Sequence, residues 1–487
     1  MPLAKTIMIQ GTGSGVGKSI LAAALCRIFK QKGLRVAPFK AQNMSNNSFV
    51  AEEGGEIGRA QAMQAECAGI KPSIHMNPIL IKPHSNSEAQ IIVQGRPVSH
   101  MNVHEYHRFH SELFAKVKAS LFKLLNSFDV VVIEGAGSPA EINLTDFDIV
   151  NMRVARLVNA PVILVGDIDR GGVFASLYGT YVLLSPSDRK RVKGLIINKF
   201  RGDQSLLGSG IRFLEQKMRV PVLGVVPYME DIILDEEDSL DLPRNSGNGK
   251  LDVAVLRFPR ISNFTDFKAL ALEPFVSVRY IGRKEEFGDP DLLILPGTKS
   301  TVDDLKFLKN RGILPLIKRY AKGGGAILGI CGGFQMLGQT IEDRENVESR
   351  QRKVAGMGLL PVKTFFAMEK ITRKVKMAVE WRVNGHVLRE TVKGYEIHMG
   401  RTVGLNRVSG NSALFSKGSI FGTYLHGLFD NDSFRTNFLE SIFRRKKPAF
   451  SPSGKKYSTT KEKNYRFLAR TVENSIDLKR ILSLLTC

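Results

Sequence analysis

The sequence predicts two α/β domains, each doubly wound on a mostly parallel sheet. Three observations carry that reading. At 487 residues the chain exceeds one ordinary core. Short apolar runs such as Val130–Ile133 repeatedly end in polar turns and alternate with helical patterns. The stretch Asp241–Lys250, with Pro243, Gly247 and Gly249, breaks that rhythm as a boundary would. The division that follows is a first domain, residues 1–242, a linker, 243–250, and a second domain, 251–445. Residues 446–487 then form a basic loop and a C-terminal helix, Tyr465–Leu485, packing on the second domain.

Composition narrows the class without choosing a function. An apolar share of 43% belongs to a globular chain rather than a disordered one. The net charge of +23 fits a lysine-rich solvated surface, a nucleic-acid partner or a polyanionic substrate. Cys26, Cys67, Cys331 and Cys487 have neither metal-site nor disulfide spacing, which fits a reducing compartment. Without a membrane-length apolar run or a signal-peptide pattern, the expectation is a soluble, cytoplasmic protein with no membrane partner.

The first domain opens with a strand, Lys5–Gln10, a loop, Gly11–Ser19, and a helix, Ile20–Lys32. Strand, glycine-rich loop ending in Gly-Lys-Ser, and helix make a P-loop. Gly13, Ser14, Gly15, Val16, Gly17 and Lys18 are placed to surround the phosphates of ATP, and Ser19 to ligate Mg²⁺. Thr12 stands where the first glycine is usual; with Gly11 one place earlier, the loop resembles the dethiobiotin synthetase variety. The next strand, Leu34–Phe39, releases Lys40, Gln42 and Asn43 where open α/β sheets bind ligands. Gly54–Ala62 reads as a helix start with Glu56 in its first turn, either a second Mg²⁺ ligand or an acid favoured by the helix dipole. After the strand-like Met76–Pro83, the region to Phe128 reads as largely helical, with His100, His104, His107 and His110 on a solvated face. Strand Asp129–Ile133 ends in Glu134, the foremost candidate for the metal acid. Asp146 and Asp148 either bind metal, orient substrate or cap a helix starting near Ile149. Strand Val162–Asp167 leads to Arg170, suited to an anion or to a loop salt bridge, and Gly194–Ile197 leads to Asn198, a reader of the adenine edge. Val220–Pro227 closes the sheet.

The second domain starts a new sheet with Asp252–Phe258 and Asp291–Leu295. Its chemistry centres on Ala326–Ile330, an apolar strand that meets Cys331 between Gly329 and the pair Gly332–Gly333. Small neighbours let the backbone turn sharply into a helix whose N-terminus favours a thiolate, as in a nucleophile elbow. The N–H groups of Gly297 and Gly332 are placed to form the oxyanion hole. His426 closes another apolar strand and is placed to act as the base, and Tyr395 or Glu396 to line the substrate pocket. Cys331, Gln335 and His426, in this order and spacing, resemble a class I glutamine amidotransferase domain, whose cysteine releases ammonia from glutamine. Such domains usually carry Glu two residues after the base, where this chain has Leu428. The third triad member is therefore absent or supplied from elsewhere, with Glu396 and Asp430 as candidates, and a loosely oriented base predicts slow glutaminase turnover until the other site fills.

Further motifs run the length of the chain: Pro38–Ser45, Gly55–Gln61, Asp167–Phe174, Asn198–Asp203, Pro259–Asp266 and Gly422–Gly427. Together they resemble the cobyric acid synthase family. The resemblance implies an ATP- and glutamine-dependent ligase of cobalamin biosynthesis that amidates the b, d, e and g carboxylates of adenosylcobyrinic acid a,c-diamide through an acyl phosphate. It implies ATP and Mg²⁺ at the first site, glutamine as amide donor, and small-molecule partners rather than nucleic acid; oligomeric state stays open. Lys40, Gln42, Asn43, Asp146 and Arg170 would contact the corrinoid, and the absent triad Glu is a trait of that family. Two alternatives stand beside this reading. One is the related cobyrinic acid a,c-diamide synthase, and the other is a DNA-associated regulatory P-loop ATPase of the MinD type, whose early second lysine is replaced here by Gly13.

Overall fold

The strand Lys5–Gly11 (β1) buries every residue after Lys5, as only a central strand covered on both faces does. The structure is a computed structural model that describes residues 3–84, 88–230, 245–246, 251–383, 386–405, 414–443 and 453–485. The expected linker therefore lies outside the described residues except at 245–246, as does residues 444–452 of the basic loop. Around β1 lie Val36–Phe39 (β2), Val130–Glu134 (β3), Val162–Asp167 (β4), Val192–Phe200 (β5) and Val222–Pro227 (β6). Their order is β6-β5-β4-β1-β3-β2, every pair parallel. The chain winds one way from β1 to β3 and β2 and the other way to β4, so the crevice at the carboxyl end of β1 is a switch point. The glycine-rich loop fills it, and Lys18–Gln31 (α1) follows.

Two segments differ from expectation. Glu56 belongs to a short buried strand, Glu56–Gly58, and the helix Arg59–Ala68 (α2) begins after it. The stretch after Pro83 forms antiparallel strands, Glu88–Val93 and Arg96–Asn102, before helices Val103–Arg108 and His110–Leu125. His100 therefore sits on a strand while His104, His107 and His110 are helical.

The second sheet contains Asn245–Ser246 (β7), Leu251–Leu256 (β8), Val276–Ile281 (β9), Leu292–Leu295 (β10), Ala326–Ile330 (β11), Leu414–Lys417 (β12) and Ile420–Thr423 (β13). Its order is β7-β9-β8-β10-β11-β13-β12, parallel except at its two edges. A long antiparallel hairpin, Val362–Val383 with His386–Gly404, extends from this domain to the first. No described helix is long and apolar enough to cross a membrane.

The C-terminal helix, Tyr457–Ser475 (α3), corrects the sequence reading, because it packs on the first domain. Its Leu468, Ala469 and Val472 share a core with Leu21 and Leu25 of α1 and with Ile7 and Ile9 of β1. Polar contacts fix the register: Lys32 pairs with Glu473 at 2.9 Å, and the Tyr465 hydroxyl donates to Glu66 Oε2 at 2.6 Å. The apolar stripe was readable, but a stripe does not name the surface that receives it. We expect Leu468→Ala, at a position fully buried, to cost about 2–5 kcal/mol of stability in urea titration monitored on the first domain; an unchanged midpoint would contradict this packing.

Candidate active site

The phosphate loop needs glycine where its backbone enters the left-handed region at Gly15 (φ 73°) and Gly17 (φ 98°). A Cβ at Gly17 would stand 2.1 Å from the amide nitrogen of Asn198. That nitrogen donates to Val16 O at 2.8 Å, so Asn198 braces the loop. Lys18 Nζ donates to Gly13 O at 2.7 Å and Gly137 O at 3.1 Å, folding across the site. The Ser19 hydroxyl donates to Glu134 Oε1 at 2.7 Å, and the same oxygen accepts from Lys40 Nζ at 2.9 Å. Glu134 Oε2 accepts from Gln64 at 2.6 Å and Gln61 at 3.4 Å. Burial opposes ionisation of Glu134, yet the Lys40 charge and these donors hold its carboxyl below the usual range. Hard oxygens from Ser19 and Glu134 fit Mg²⁺, which commonly takes one or two protein ligands plus phosphate and water. Among the described residues no group of three or more His, Cys, Asp or Glu is suited to holding a metal by itself.

Beside the loop a cleft of about 480 Å³ is lined by Lys18, Lys40, Gln42, Asn43, Ile142 and Phe147, among others. The Tyr106 hydroxyl donates to Gln42 Oε1, and Asn43 Nδ2 to Gln61 Oε1 at 2.9 Å. Ile142, Leu144 and Phe147 are exposed there, an apolar wall facing a charged one. Arg170 is exposed at the loop, 3.9 Å from Asp167 and within reach of Gly15. Asp148 accepts the backbone N–H groups of Val150 and Asn151 at 2.8 and 2.7 Å and is a cap, whereas Asp146 is exposed and outside the cleft lining.

The second site lies at the end of β11. Cys331 has φ 50° and ψ −110°, a strained setting for a residue with a Cβ, and the helix Gly332–Leu337 follows at once. A Cβ on Gly333 would fall 2.0 Å from Leu295 O, so the turn closes only with glycine there. Gln335 is buried and accepts from Thr301 Oγ1 at 2.9 Å while donating to the Tyr424 hydroxyl at 3.3 Å. Tyr395 stacks on the His426 ring at 5.4 Å and 25°. Gly297 lies against the imidazole, with its Cβ position 3.2 Å from His426 Cε1.

The acid that orients His426 is Asp266, a residue inside one of the quoted motifs that sequence reasoning left without a role. Its Oδ2 lies 2.7 Å from His426 Nδ1, and its Oδ1 accepts the Gly427 N–H at 2.9 Å. Burial would lower the imidazole pKa, but the Asp266 carboxylate and the Cys331 sulfur raise it to about 10. Of the candidates from sequence, Glu396 pairs with Arg373 at 2.7 Å, and the place on His426 Nδ1 is taken by Asp266 rather than Asp430. A base gripped this way also removes the reason for expecting loose orientation.

The two domains meet beside the Cys331 site. Ser48 N–H donates to Asn263 Oδ1 at 3.0 Å, Thr265 Oγ1 to Asn47 Oδ1 at 3.3 Å, and the Tyr395 hydroxyl to Ser48 O at 3.3 Å. Glu56, read from sequence as a possible metal ligand, is here instead: Lys82 of its own domain and Lys370 of the second domain each hold one of its oxygens. Burial disfavours its charge, but the two ammonium groups keep the carboxyl far below the usual range. Burial in turn lowers Lys370 to about 7.

Residues 7–242 match a CobQ/CobB/MinD/ParA nucleotide binding domain, and residues 252–434 a CobB/CobQ-like glutamine amidotransferase domain. Along the whole chain, identity is 48% over 510 residues to a cobyric acid synthase of Caldanaerobacter subterraneus subsp. tengcongensis, covering 99% of each. Identity is 48% over 496 residues to that of Clostridium tetani, covering 98% of each, and 46% over 499 residues to that of Listeria monocytogenes serovar 1/2a, covering 98% of this chain and 96% of the relative.

The His426–Asp266 pair carries a pH signature. A histidine whose pKa rises from about 6.5 unfolded to about 10 folded stabilises fully below pH 6.5 and loses that contribution as pH climbs through 10. Asp266→Asn should cost about 3–5 kcal/mol near pH 6, flatten the stability profile between those limits, and lower glutamine hydrolysis at least tenfold. Urea titrations across that range and a glutaminase assay check it.

Proposed function

The chain belongs to the cobyric acid synthase family, and from that premise we propose that it amidates the b, d, e and g carboxylates of adenosylcobyrinic acid a,c-diamide, with ATP for activation and glutamine as nitrogen source. The observation that carries this reading is the shared interface: the Cys331 cavity includes Lys82 of the ATP-binding domain in its wall. Ammonia released there starts its path already against the domain that consumes it.

In the proposed reaction, the Cys331 sulfur attacks the side-chain amide carbon of glutamine. His426 passes its proton to the leaving nitrogen, ammonia departs, and a thioester remains for water to cleave. N–H groups of Gly297 and Gly332 would hold the oxyanion. Gln335 and Tyr395 shape the pocket, the first by its buried amide and the second by stacking on the base.

At the first site, backbone N–H groups between Gly13 and Lys18 would cradle the ATP phosphates, with the Lys18 ammonium on the β and γ groups. Ser19 and Glu134 would hold Mg²⁺, which when bound offsets phosphate charge. A corrinoid carboxylate attacks the γ-phosphorus, ADP leaves, and ammonia displaces phosphate from the acyl phosphate to give the amide. Lys40, Gln42 and Asn43 would meet substrate carboxylates and amides, and exposed Ile142, Leu144 and Phe147 suit the apolar face of a macrocycle, whereas Arg170, outside the cleft lining, would meet an anion at the phosphate loop beside Gly15. Asn198 keeps its nitrogen on Val16 O, which leaves its oxygen for an adenine amine. We leave Glu56 out of the metal set because two lysines already hold it, and Asp146 out of the substrate set because it does not line the cleft.

Cys331→Ala is expected to abolish glutamine-supported amidation while activity with added ammonium salts persists. Lys18→Ala should depress both alike. Mass analysis of a corrinoid diamide incubated with ATP, Mg²⁺ and either nitrogen source checks both, and loss of ammonium-supported activity in Cys331→Ala would overturn the division of labour.

A further inference from the structure

The cavity that exposes Cys331 has a volume of only about 50 Å³. A glutamine that brings its carboxamide to Cys331 leaves its amino-acid end towards the cavity mouth. Three lysines line this cavity: Lys82, Lys370 and Lys299. Two of them are committed. Lys82 Nζ donates to Glu56 and to Ser48 Oγ at 3.0 Å, and Lys370 Nζ to Glu56 and to Gln90 Oε1 at 3.0 Å. Lys299, by contrast, has no ion pair or side-chain hydrogen bond among the described residues, though Glu348 and Cys331 act on it electrostatically.

Glu348 also lines the cavity, and it lines a second, outer cleft of about 790 Å³ with His84, His100, Arg350 and Arg352. It thus stands in the wall between the nucleophile and the outside. Its position is fixed from both ends. Asp343 accepts the N–H groups of Val347, Glu348 and Ser349 at 2.8, 2.8 and 2.7 Å, while the Glu348 carboxylate accepts the Thr301 N–H. Thr301 in turn donates to Gln335, so the carboxylate is tied to the same scaffold as the amide pocket.

Resting on the glutaminase reading, we propose that Lys299 and Glu348 form the α-amino-acid end of the glutamine pocket, Lys299 taking the α-carboxylate and Glu348 the α-ammonium. A zwitterion set between them alternates charge along the line, so neither side chain is left unpaired in a site shielded from water. The carboxamide is then directed inward to Cys331. A free carboxamide lacking either end group leaves one of the two buried charges without a partner, and the site rejects it for that reason.

The test compares the full chain with Lys299→Met, Lys299→Arg and Glu348→Gln in the presence of ATP and a corrinoid diamide. Three amides are used: glutamine, glutaramate, which lacks the α-amino group, and 4-aminobutanamide, which lacks the α-carboxylate. Where a truncated amide turns over too slowly, its Ki against glutamine hydrolysis replaces kcat/KM. Lys299→Met should lower kcat/KM for glutamine and glutaramate about 100-fold and alter 4-aminobutanamide about threefold or less. Glu348→Gln should penalise glutamine and 4-aminobutanamide and spare glutaramate, and Lys299→Arg should keep most of the selectivity. Equal losses on all three amides would mean a structural role only and would overturn the proposal, as would unchanged selectivity. Absence of glutamine hydrolysis in the unmodified chain would instead overturn the glutaminase reading on which the proposal rests.

Discussion

The interaction on which the arrangement of this protein depends is the buried carboxylate of Glu56, held between Lys82 of the first domain and Lys370 of the second. A charge of this kind is costly to desolvate, and an apolar contact of equal volume would often stabilise as much or more. Its use is geometric. An ion flanked by two cations has one low-energy arrangement, whereas apolar surfaces slide. Around it, Lys374 reaches Glu52 at 3.1 Å, and Phe49 meets Tyr395 edge-on at 4.9 Å. The interface therefore holds the Cys331 cavity and the nucleotide-binding domain in one register.

The two sites follow a common electrostatic logic. In each, a buried acid is paired with a cationic group, Lys40 with Glu134 at the end of β3 and His426 with Asp266 in the turn Phe264–Leu272. In each, the acid also fixes the residue nearest the chemistry, the Ser19 hydroxyl in one and the imidazole in the other. Both acids thus act by positioning and charge balance.

Much of this was legible because it is local. The phosphate loop, the cysteine elbow and the succession of parallel strands each depend on a few adjacent residues, and small residues at Gly17 and Gly333 are dictated by contacts that a sequence pattern encodes. What escaped depends on partners distant in the chain. Asp266 lies 160 residues from His426, and nothing beside it marks it as the orienting acid. Glu56 looked like a helix-start acid because its partner Lys370 lies 314 residues away. The final helix has an apolar stripe that would suit either core, and only packing shows that α1 receives it. The hairpin after Pro83 was read as helical because its polar, histidine-bearing strands obscure a period of two.

The short turn that bears Asp266 also bears Asn263 and Thr265, and these accept from and donate to Ser48 and Asn47 of the other half. The clasp on the foreign domain thus lies within three positions of the acid that aims the imidazole. Severed from its neighbour, the later half would keep its thiol, its ring and Asp266 but lose the clasp on the turn that carries that acid. A change at Ser48 or Asn47 in the earlier half is therefore felt first by the turn that aims the imidazole in the later one.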